Sequence, residues 1–309
     1  MREGICPAVV GPTAVGKTGL VIALAERLPI EVISLDSRQI YYGLRIGTAQ
    51  PTPEEQAVCP HHLVDFVSPE SKYDAIRFRA DFERVYKEIT GRGGVPLLVG
   101  GAGMYLTALR EGFMDIPGHS PEKLAEVRVA LEPLADEAIR DRLKTVDPTS
   151  WERIHANDRY RSQRALEIFD ISGHTMTELS DTQTAAPSLG LDFPTFVLER
   201  PVAELDARIA RRTLAMLQGR WVQETMAAMA VHSSGCPGLM SIGYREIVGW
   251  LERQIDEDDL LPSIVRVTRQ YAKRQRTLFR HIPKVWSGSP DDEALPDLLL
   301  SHLQGDARS

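Results

Sequence analysis

The segment Gly11–Thr18, with the sequence GPTAVGKT, constrains the fold more than any other part of the chain. It follows an apolar run with strand character, Ile5–Val10, and it precedes an apolar helical pattern, Leu20–Leu28. A G-x-x-x-x-G-K-T sequence between a strand and a helix is typical of a phosphate-binding loop, whose backbone N–H groups and helix N-terminus attract anions. The sequence therefore predicts a site for a di- or triphosphate.

The residues of this loop have different predicted parts in the site. Lys17 is expected to reach the outer phosphate, and the Thr18 hydroxyl is the expected ligand of Mg²⁺. The whole loop is predicted to bind diphosphate or nucleotide, through Gly11, Pro12, Thr13, Ala14, Val15, Gly16, Lys17 and Thr18.

Two further apolar runs, Glu31–Leu35 and Val95–Val99, predict strands beside the one that precedes the loop. A helical pattern over Asp74–Ile89 lies between them, and this alternation predicts an α/β fold with a parallel sheet. Asp36 follows the first of the two runs. Because ligands of such sheets lie beyond the carboxyl ends of the strands, Asp36 could face the crevice of the phosphate loop. Alternatively, Asp36 and Ser37 only cap the next helix.

The end of the second run argues against ATP hydrolysis. A phosphate-loop ATPase usually carries an acidic residue for Mg²⁺ after such a strand, and here Gly100 follows Val99. This difference favours a loop that holds a leaving group. The segment Gly43–Pro69 contains Gly, Pro and Thr with little periodicity, so we predict an active-site loop there.

The composition changes after about Gly112, where patterns rich in Leu, Ala, Glu and Arg begin. We expect a helical unit, 115–187, inserted into a core formed by 1–114 and 188–309. A strand over Thr195–Glu199 would return the chain to the sheet. The expected helices beyond Gly112 are Pro121–Leu134, Asp136–Val146, Trp151–Ile171, Leu205–Val231, Tyr244–Gln254 and Pro262–Arg280, with a short one at most over 291–309.

The composition is that of an ordinary globular protein, with 43% hydrophobic and 26% charged residues. No apolar run approaches the roughly 18 residues of a membrane span, and no signal peptide is visible. The three cysteines are scattered, which favours reduced thiols and a cytoplasmic location. We therefore expect a cytoplasmic protein that does not contact a membrane. A monomer is a separate expectation.

Basic residues cluster although the net charge is −7. Because neighbouring like charges repel, such clusters indicate a polyanionic partner. The three clusters are a helical stripe of Arg266, Arg269, Lys273, Arg276 and Arg280, a group of Arg159, Arg161 and Arg164, and a group of Arg208, Arg211 and Arg212. For the helical stripe, the alternative is a solvated helix face whose charges pair with acidic residues elsewhere.

Ordered motifs extend from the phosphate loop to about Trp286. They are LDSRQIYYGLRIGTAQP from Leu35, HHLVD from His61, LLVGGAGMYL from Leu97, HANDRYRSQRALEIF from His155, LERP from Leu198, RIARRTLAM from Arg208, SIGYREI from Ser241 and TRQYAKRQRTLF from Thr268. Together with GPTAVGKT, these motifs resemble the tRNA dimethylallyltransferase (tRNA isopentenyltransferase) family over nearly the whole chain.

The resemblance implies a reaction. A dimethylallyl group would move from dimethylallyl diphosphate to N6 of the adenosine 3′-adjacent to the anticodon in tRNA, giving N6-isopentenyladenosine. It also implies a core related to phosphate-loop kinases, with the helical insertion gripping the anticodon stem-loop. Asp36 resembles the family's general base. Arg212, together with Arg208, resembles its diphosphate-contacting arginine, which would act with Lys17 and with Mg²⁺ at Thr18.

Segments that contact tRNA in the family are also matched. The matching residues are Asp36, Ser37, Arg38, Gln39, Ala102, Tyr160, Arg161, Ser162, Gln163, Arg164, Met240, Ser241, Ile242, Gly243, Tyr244 and Arg245. The chain departs from the family pattern at three positions. The family usually has Thr at the position of Ala102, an acidic residue at that of Arg45 and Lys at that of Gln50.

Three other functions stay open at this point. The chain could be an isopentenyltransferase that acts on free adenine nucleotides, although the helical insertion and the basic clusters favour tRNA. It could be a small-molecule kinase that uses ATP with Asp36 as base. It could also be a tRNA-binding paralogue with weak or lost activity, an alternative that the departures at Ala102, Arg45 and Gln50 support.

Overall fold

The computed structural model describes residues 4–114, 116–182 and 189–304. The chain divides into two compact units: Met1–Arg110 with Leu189–Ser309, and Glu111–Ser188. The predicted insertion, 115–187, spans most of the second unit, but Asp115 and 183–187 lie outside the described residues. None of the described helices is long and apolar enough to cross a membrane.

A parallel sheet of six strands forms the centre of the first unit, with the order β3-β2-β4-β1-β5-β6. This confirms the predicted α/β class. The strands Ala8–Val10 and Thr195–Leu198 are buried along their whole length, as expected for a parallel sheet that is covered on both faces. The strands are β1 (Ala8–Val10), β2 (Ile30–Leu35), β3 (His61–His62), β4 (Val95–Gly100), β5 (Thr195–Leu198) and β6 (Trp286–Gly288).

Helices accompany the sheet in the first unit and make up the second unit in its described part. In chain order they are α1 (Lys17–Ala25), α2 (Pro53–Val58), α3 (Ala75–Gly91), α4 (Gly103–Glu111), α5 (Pro121–Leu131), α6 (Asp136–Val146), α7 (Pro148–Arg153), α8 (Arg159–Ser172), α9 (Met176–Thr182), α10 (Val202–Gln218), α11 (Trp221–Met229), α12 (Tyr244–Leu251), α13 (Glu257–His281) and α14 (Leu295–Gln304).

Two apolar layers cover the sheet because successive residues of each strand point to opposite faces. Val9 packs in one layer with side chains of α1, α10, α13 and α14. Ala8 and Val10 pack in the other layer with side chains of α3 and α4. The second unit has an apolar core of its own, formed by Leu131, Ile139, Leu143, Ile154, Ala165 and Leu166.

The segment Gly43–Pro69, which we predicted to be an active-site loop, also contains the short elements α2 and β3. Helix α2 has only six residues, too few to show a helical period. Its capping signals could have revealed it. The Thr52 side chain accepts from Glu55 N, the Glu55 side chain bonds Thr52 N, and Pro53 occupies the first turn.

Two predicted helices are each divided in the structure. The pattern Trp151–Ile171 forms α7 and α8, because Asp158 starts a new helix with its side chain accepting from Arg161 N at 3.1 Å. The pattern Leu205–Val231 forms α10 and α11, which are separated at Gly219. Apolar periodicity alone missed both interruptions, since the hydrophobic spacing continues across them.

Candidate active site

The phosphate-loop sequence forms the connection between β1 and α1. The backbone of Gly11 lies close to the end of β5. A Cβ at this position would lie only 2.7 Å from the carbonyl oxygen of Leu198. Gly16 has φ +117°, a backbone conformation that side-chain-bearing residues rarely adopt. Lys17 begins α1 immediately afterwards. Gly11 and Gly16 therefore allow the backbone to form the curled loop that the sequence predicted.

A cleft of about 1070 Å³ opens beside this loop, at the carboxyl ends of β2 and β4. Its volume slightly exceeds the roughly 300–1,000 Å³ that is typical of small-molecule sites. The first unit alone forms the described lining. Most of it comes from the segment Thr13–Gly19, the residues after β2, α10, the segment before α12, and α13, and Trp221 of α11 also contributes.

Cationic side chains converge on the loop from within this cleft. Lys17 Nζ donates to the carbonyl oxygens of Gly11 and Pro12 at 2.9 and 3.0 Å. Arg212 donates to Thr13 Oγ1 at 2.6 Å, and Arg208 Nε donates to Ala14 O at 2.8 Å. These acceptors are neutral oxygens, so the bonds themselves neutralise no charge, although Arg208 also lies 4.0 Å from a carboxylate oxygen of Glu204. The arrangement suits a bound polyphosphate, which would take over these donors.

Burial perturbs the charged groups of the cleft. It lowers the pKa of Lys17 to about 8, although nearby Asp36 acts in the opposite direction. Burial also lowers the pKa of Arg212. Both shifts show that solvation of these cations is poor, so that an anion would be held in surroundings where its attraction to them is strong.

Asp36 lies at the end of β2, half-buried, in the same cleft as Lys17. Its Oδ1 accepts from the N–H groups of Arg38 and Gln39 at 2.8 and 3.2 Å. Asp36 thus caps a turn, not the helix that the alternative interpretation expected, and it also lines the cleft. Burial raises its pKa, and this effect exceeds the opposing effects of the two hydrogen bonds and of Lys17. A carboxylate of raised basicity is suited to accept a proton.

The residues that follow Asp36 are held in place by glutamine side chains. Gln39 accepts from Ser34 Oγ at 2.9 Å and donates to Ala49 O at 2.7 Å. Gln50 Nε2 donates to the carbonyl oxygens of Gln39 and Tyr41 at 2.8 and 3.0 Å. The side chains of Ser37, Arg38 and Gln39 all belong to the lining of the cleft.

Two of the departures from the family pattern have internal partners. Gln50 bridges two carbonyl oxygens, a contact that an ammonium group in its place could also make. Arg45 Nε donates to Asp65 Oδ2 at 3.2 Å, and its backbone N–H donates to Glu224 at 3.0 Å. Ala102 lies outside the described lining, and its half-buried methyl group packs against the apolar layer of α3 and α4.

The predicted segment Met240–Arg245 separates into residues that line the cleft and residues that do not. Met240, Ser241, Ile242 and Arg245 line the cleft. Gly243 and Tyr244 lie behind them, fully covered, and Tyr244 accepts from Gly47 N at 2.9 Å while donating to Glu224. Tyr244 therefore supports the segment that carries Gly47, and the lining residues present the surface.

Helix α13 faces the cleft with a different set of residues from the predicted basic stripe. None of the five stripe residues is part of the described lining, and Arg269 pairs instead with Asp206 at 3.5 Å. The cation of α13 that does line the cleft is Arg274. The sequence analysis missed it because it falls between two members of the 3-4 spacing. The other lining residues of α13 are Val267, Thr268, Gln270, Tyr271 and Gln275.

The arginine cluster of the second unit is largely paired. Arg159 meets Asp136 at 2.5 Å, and Arg164 meets Glu167 at 2.9 Å. In the predicted tRNA-contacting run, Tyr160 is 77% exposed and the Arg161 side chain 74%. Ser162 is fully buried and donates to Asp158 O at 3.0 Å, so it holds the helix start and does not present a surface. Gln163 is half-buried.

The candidate metal ligand, Thr18, is exposed in the first turn of α1 and lines the cleft. In the described part of the chain, no group of three or more His, Cys, Asp or Glu side chains forms a metal site. Mg²⁺ on a diphosphate needs few protein ligands because the substrate and water supply the rest. The hydroxyl of Thr18 beside Lys17 therefore fits Mg²⁺ carried in by a diphosphate.

Comparison with protein families gives two matches. A model described as "IPP transferase" matches residues 39–282, which is most of the chain. A second model, described as "Isopentenyl transferase", matches residues 5–60, which include the phosphate loop and Asp36.

Curated relatives match over almost their full length. A tRNA dimethylallyltransferase of Aromatoleum aromaticum is 39% identical over 293 residues, covering 94% of this chain and 92% of the relative. One of Bordetella petrii is 41% identical over 279 residues, covering 89% and 88%. Among solved structures, a eukaryotic dimethylallyltransferase acting on tRNA superposes with a TM-score of 0.82 at 25% identity, covering 99% of this chain and 81% of that one.

Proposed function

The chain belongs to the IPP transferase family, and from this premise we propose that it transfers a dimethylallyl group to tRNA. The donor is dimethylallyl diphosphate. The acceptor is N6 of the adenosine 3′-adjacent to the anticodon, and the product is N6-isopentenyladenosine. The observation that carries the proposal is that Asp36 shares one cleft with the cations of the phosphate loop, which brings a base and a diphosphate site together.

The reaction exchanges one bond for another at C1 of the dimethylallyl group. The bond from N6 to C1 forms, the bond from C1 to the diphosphate oxygen breaks, and the diphosphate leaves with the bonding electrons. The lone pair of N6 is delocalised into the adenine ring, so a carboxylate that accepts the N6 proton assists the attack. Asp36 is the proposed acceptor of that proton.

The leaving diphosphate gains negative charge as the C1–O bond breaks. Lys17, Arg212 and Arg208, which now donate to neutral oxygens of the loop, are the proposed donors to that charge. Mg²⁺, held by the Thr18 hydroxyl, would neutralise part of the same charge. Once these donors have exchanged the loop oxygens for the bound diphosphate, they need little further reorganisation during the reaction.

The proposed acceptor is the anticodon stem-loop of tRNA, gripped by the helical second unit. Exposed Tyr160 and Arg161 support this part of the proposal, since an aromatic ring and a guanidinium group suit unpaired bases and phosphates. The adenosine must leave its stack to enter the cleft. We further propose a cytoplasmic monomer, a location supported by the free thiols of Cys6, Cys59 and Cys236.

The test is transfer of label from radioactive dimethylallyl diphosphate, with Mg²⁺, to an unmodified tRNA with adenosine beside the anticodon. We expect label in tRNA, and an Asp36→Asn variant should lower kcat by about 10²–10⁴-fold because the base is lost. The matched control, Asp297→Asn, changes an exposed carboxylate of α14 far along the chain and should transfer normally.

Two outcomes would contradict the proposal. If AMP is added and takes up label while tRNA does not, the chain is an isopentenyltransferase that acts on free adenine nucleotides. The match to the second family model over residues 5–60 is consistent with that alternative. Bound tRNA without any transfer would indicate a paralogue without activity.

A further inference from the structure

Gln275 connects the phosphate loop to the turn that follows β4. Its Oε1 accepts from Thr13 N at 2.9 Å, and its Nε2 donates to Gly101 O at 3.0 Å. The residue is only 5% exposed. A buried amide that is bonded at both ends is costly to displace, because each lost bond leaves a polar group without a partner. Gln275 therefore holds the two backbone segments at a set separation.

The turn that Gln275 contacts is itself bonded to the strand end that carries Asp36. The N–H groups of Gly101 and Ala102 both donate to Leu35 O, at 3.0 and 2.9 Å. Leu35 directly precedes Asp36. A chain of hydrogen bonds thus runs from Thr13 through Gln275 and Gly101 to the residue before the candidate base.

Thr13 also takes part in the diphosphate site through its side chain. Its hydroxyl accepts from Arg212 at 2.6 Å, while its backbone N–H is held by Gln275. The Gln275 side chain and the Arg212 guanidinium therefore bond to two different atoms of Thr13. Any shift of Gln275 would move the part of the loop to which the diphosphate-site arginine is attached.

The fit between Gln275 and the turn is close. A Cβ at Gly101 would lie 2.0 Å from Nε2 of Gln275, whereas the nearest backbone atom, Gly11 O, would be 3.5 Å away. A methyl group at position 101 would therefore conflict with the amide of Gln275 and with little else. This property allows the contact to be disturbed from either side.

We propose that Gln275 is a positioning residue that sets the distance between the phosphate loop and Asp36. This inference rests on the proposed function, in which C1 of the donor is attacked by N6 while the diphosphate leaves. Gln275 acts through Thr13 and Gly101 and needs no contact with either substrate. A misplacement of about 1 Å between reacting groups costs on the order of 10²-fold in rate.

The experiment is a double-mutant cycle of Gln275→Ala and Gly101→Ala on the full chain. For each variant, kcat is measured with tRNA, and the affinity for dimethylallyl diphosphate alone and for tRNA alone is measured at equilibrium. Each single variant should lower kcat on the order of 10²-fold while both affinities stay within about threefold of wild type. Retained binding also shows that the variants are folded.

The double variant should be no slower than Gln275→Ala, because a methyl group at position 101 then meets no amide. The matched control is Thr195→Val, which removes a buried hydroxyl that donates to Phe193 O at 2.9 Å at the start of β5. This control loses a buried hydrogen bond that connects no part of the site, so its kcat should equal that of wild type.

Three results would overturn the inference. The first is an unchanged kcat for Gln275→Ala. The second is a loss of kcat that follows a loss of affinity for one substrate, which would make Gln275 part of that substrate's binding site or of the fold. The third is a double variant whose losses add. Wild-type protein that binds tRNA but transfers nothing would instead refute the proposed function, and this role with it.

Discussion

Lys17 and Asp36 carry opposite charges in one cleft, and burial acts on each of them more strongly than their mutual attraction does. For the lysine, burial lowers the pKa, and for the aspartate it raises the pKa. Burial therefore favours the neutral form of both residues. This suits an aspartate that accepts a proton, but it makes the lysine sensitive to pH.

Binding of the donor should weaken at alkaline pH because Lys17 loses its charge. The pKa of Lys17 in the free protein is about 8, so the ammonium form is present below that pH and is lost as the pH rises through it. We expect kcat/KM for dimethylallyl diphosphate to fall above pH 8, since this ratio reports the free enzyme. The measurement is a pH profile from about pH 6 to about pH 10.

The control for this profile is Lys87→Ala, which removes an exposed lysine of α3 and should leave the falling limb in place. A profile that stays level up to pH 10 would mean that Lys17 keeps its proton and that burial has a smaller effect on it than proposed.

At the scale of elements, the segment between β2 and α2 depends on side-chain amides for its shape. It contains no described helix of its own, and Gln39 and Gln50 supply hydrogen bonds that a regular element would make with its backbone. Gln50 is one of the departures from the family pattern. Its bonds give a structural reason why a lysine can be replaced there without loss of the segment's shape.

Replacement of Gln50 tests this explanation. Gln50→Ala leaves the carbonyl oxygens of Gln39 and Tyr41 without this donor, and we expect kcat/KM for tRNA to fall by roughly 10-fold, which corresponds to about 1.4 kcal/mol. Gln50→Lys restores a donor and should transfer at nearly the wild-type rate. If both variants were equally impaired, the side-chain amide itself would be required and the explanation by carbonyl bridging would fail.

Helix α13 separates two predictions about basic residues. Arg274 lines the cleft, whereas Arg266, a member of the predicted stripe, does not. We expect Arg274→Ala to lower kcat/KM for tRNA by about 10-fold or more, and Arg266→Ala to have a smaller effect. Steady-state kinetics on both variants at one salt concentration decides between them. A larger loss for Arg266→Ala would favour the stripe as the main tRNA contact on this helix.

At the scale of the whole molecule, the diphosphate donor is expected to contact the first unit alone, whereas the tRNA is expected to contact residues of each unit. The phosphate loop and Asp36 belong to the first unit, and exposed Tyr160 and Arg161 belong to the second. The ion pair of Arg161 with Asp158, at 3.5 Å on the surface, contributes little to stability, so its guanidinium is free to exchange that partner for a phosphate.

Arg161→Ala should weaken tRNA binding without changing affinity for dimethylallyl diphosphate. The slope of log affinity against log salt should decrease by about 1, because one phosphate contact is lost. Filter binding across a salt series measures this slope. Arg84→Ala, which removes an exposed arginine of α3 that pairs with Asp81 and Glu88, is the control and should leave the slope unchanged. An unchanged slope for Arg161→Ala would place the tRNA elsewhere.

The sequence by itself determined the class of fold, the phosphate loop and the position of Asp36 at a strand end. These features depend on short-range rules: glycines that permit a curled loop, apolar runs that must be buried, and strand ends that meet at one edge of a parallel sheet. Ordered motifs extended this to a family. The same short-range rules missed α2 and the breaks at Asp158 and Gly219, where hydrophobic spacing is uninformative.

Only the tertiary structure decided which face of α13 meets the cleft and what Gln275 does. Counting charges along a helix favoured the stripe from Arg266 to Arg280, but the burial of Ala272 and Gln275 turns a different face inward. The partners of Gln275, Thr13 and Gly101, are distant in sequence, and an amide gives no sign in the chain of the oxygen or N–H that it will meet. Such contacts are set by the packing of α13 against the sheet, which no local pattern encodes.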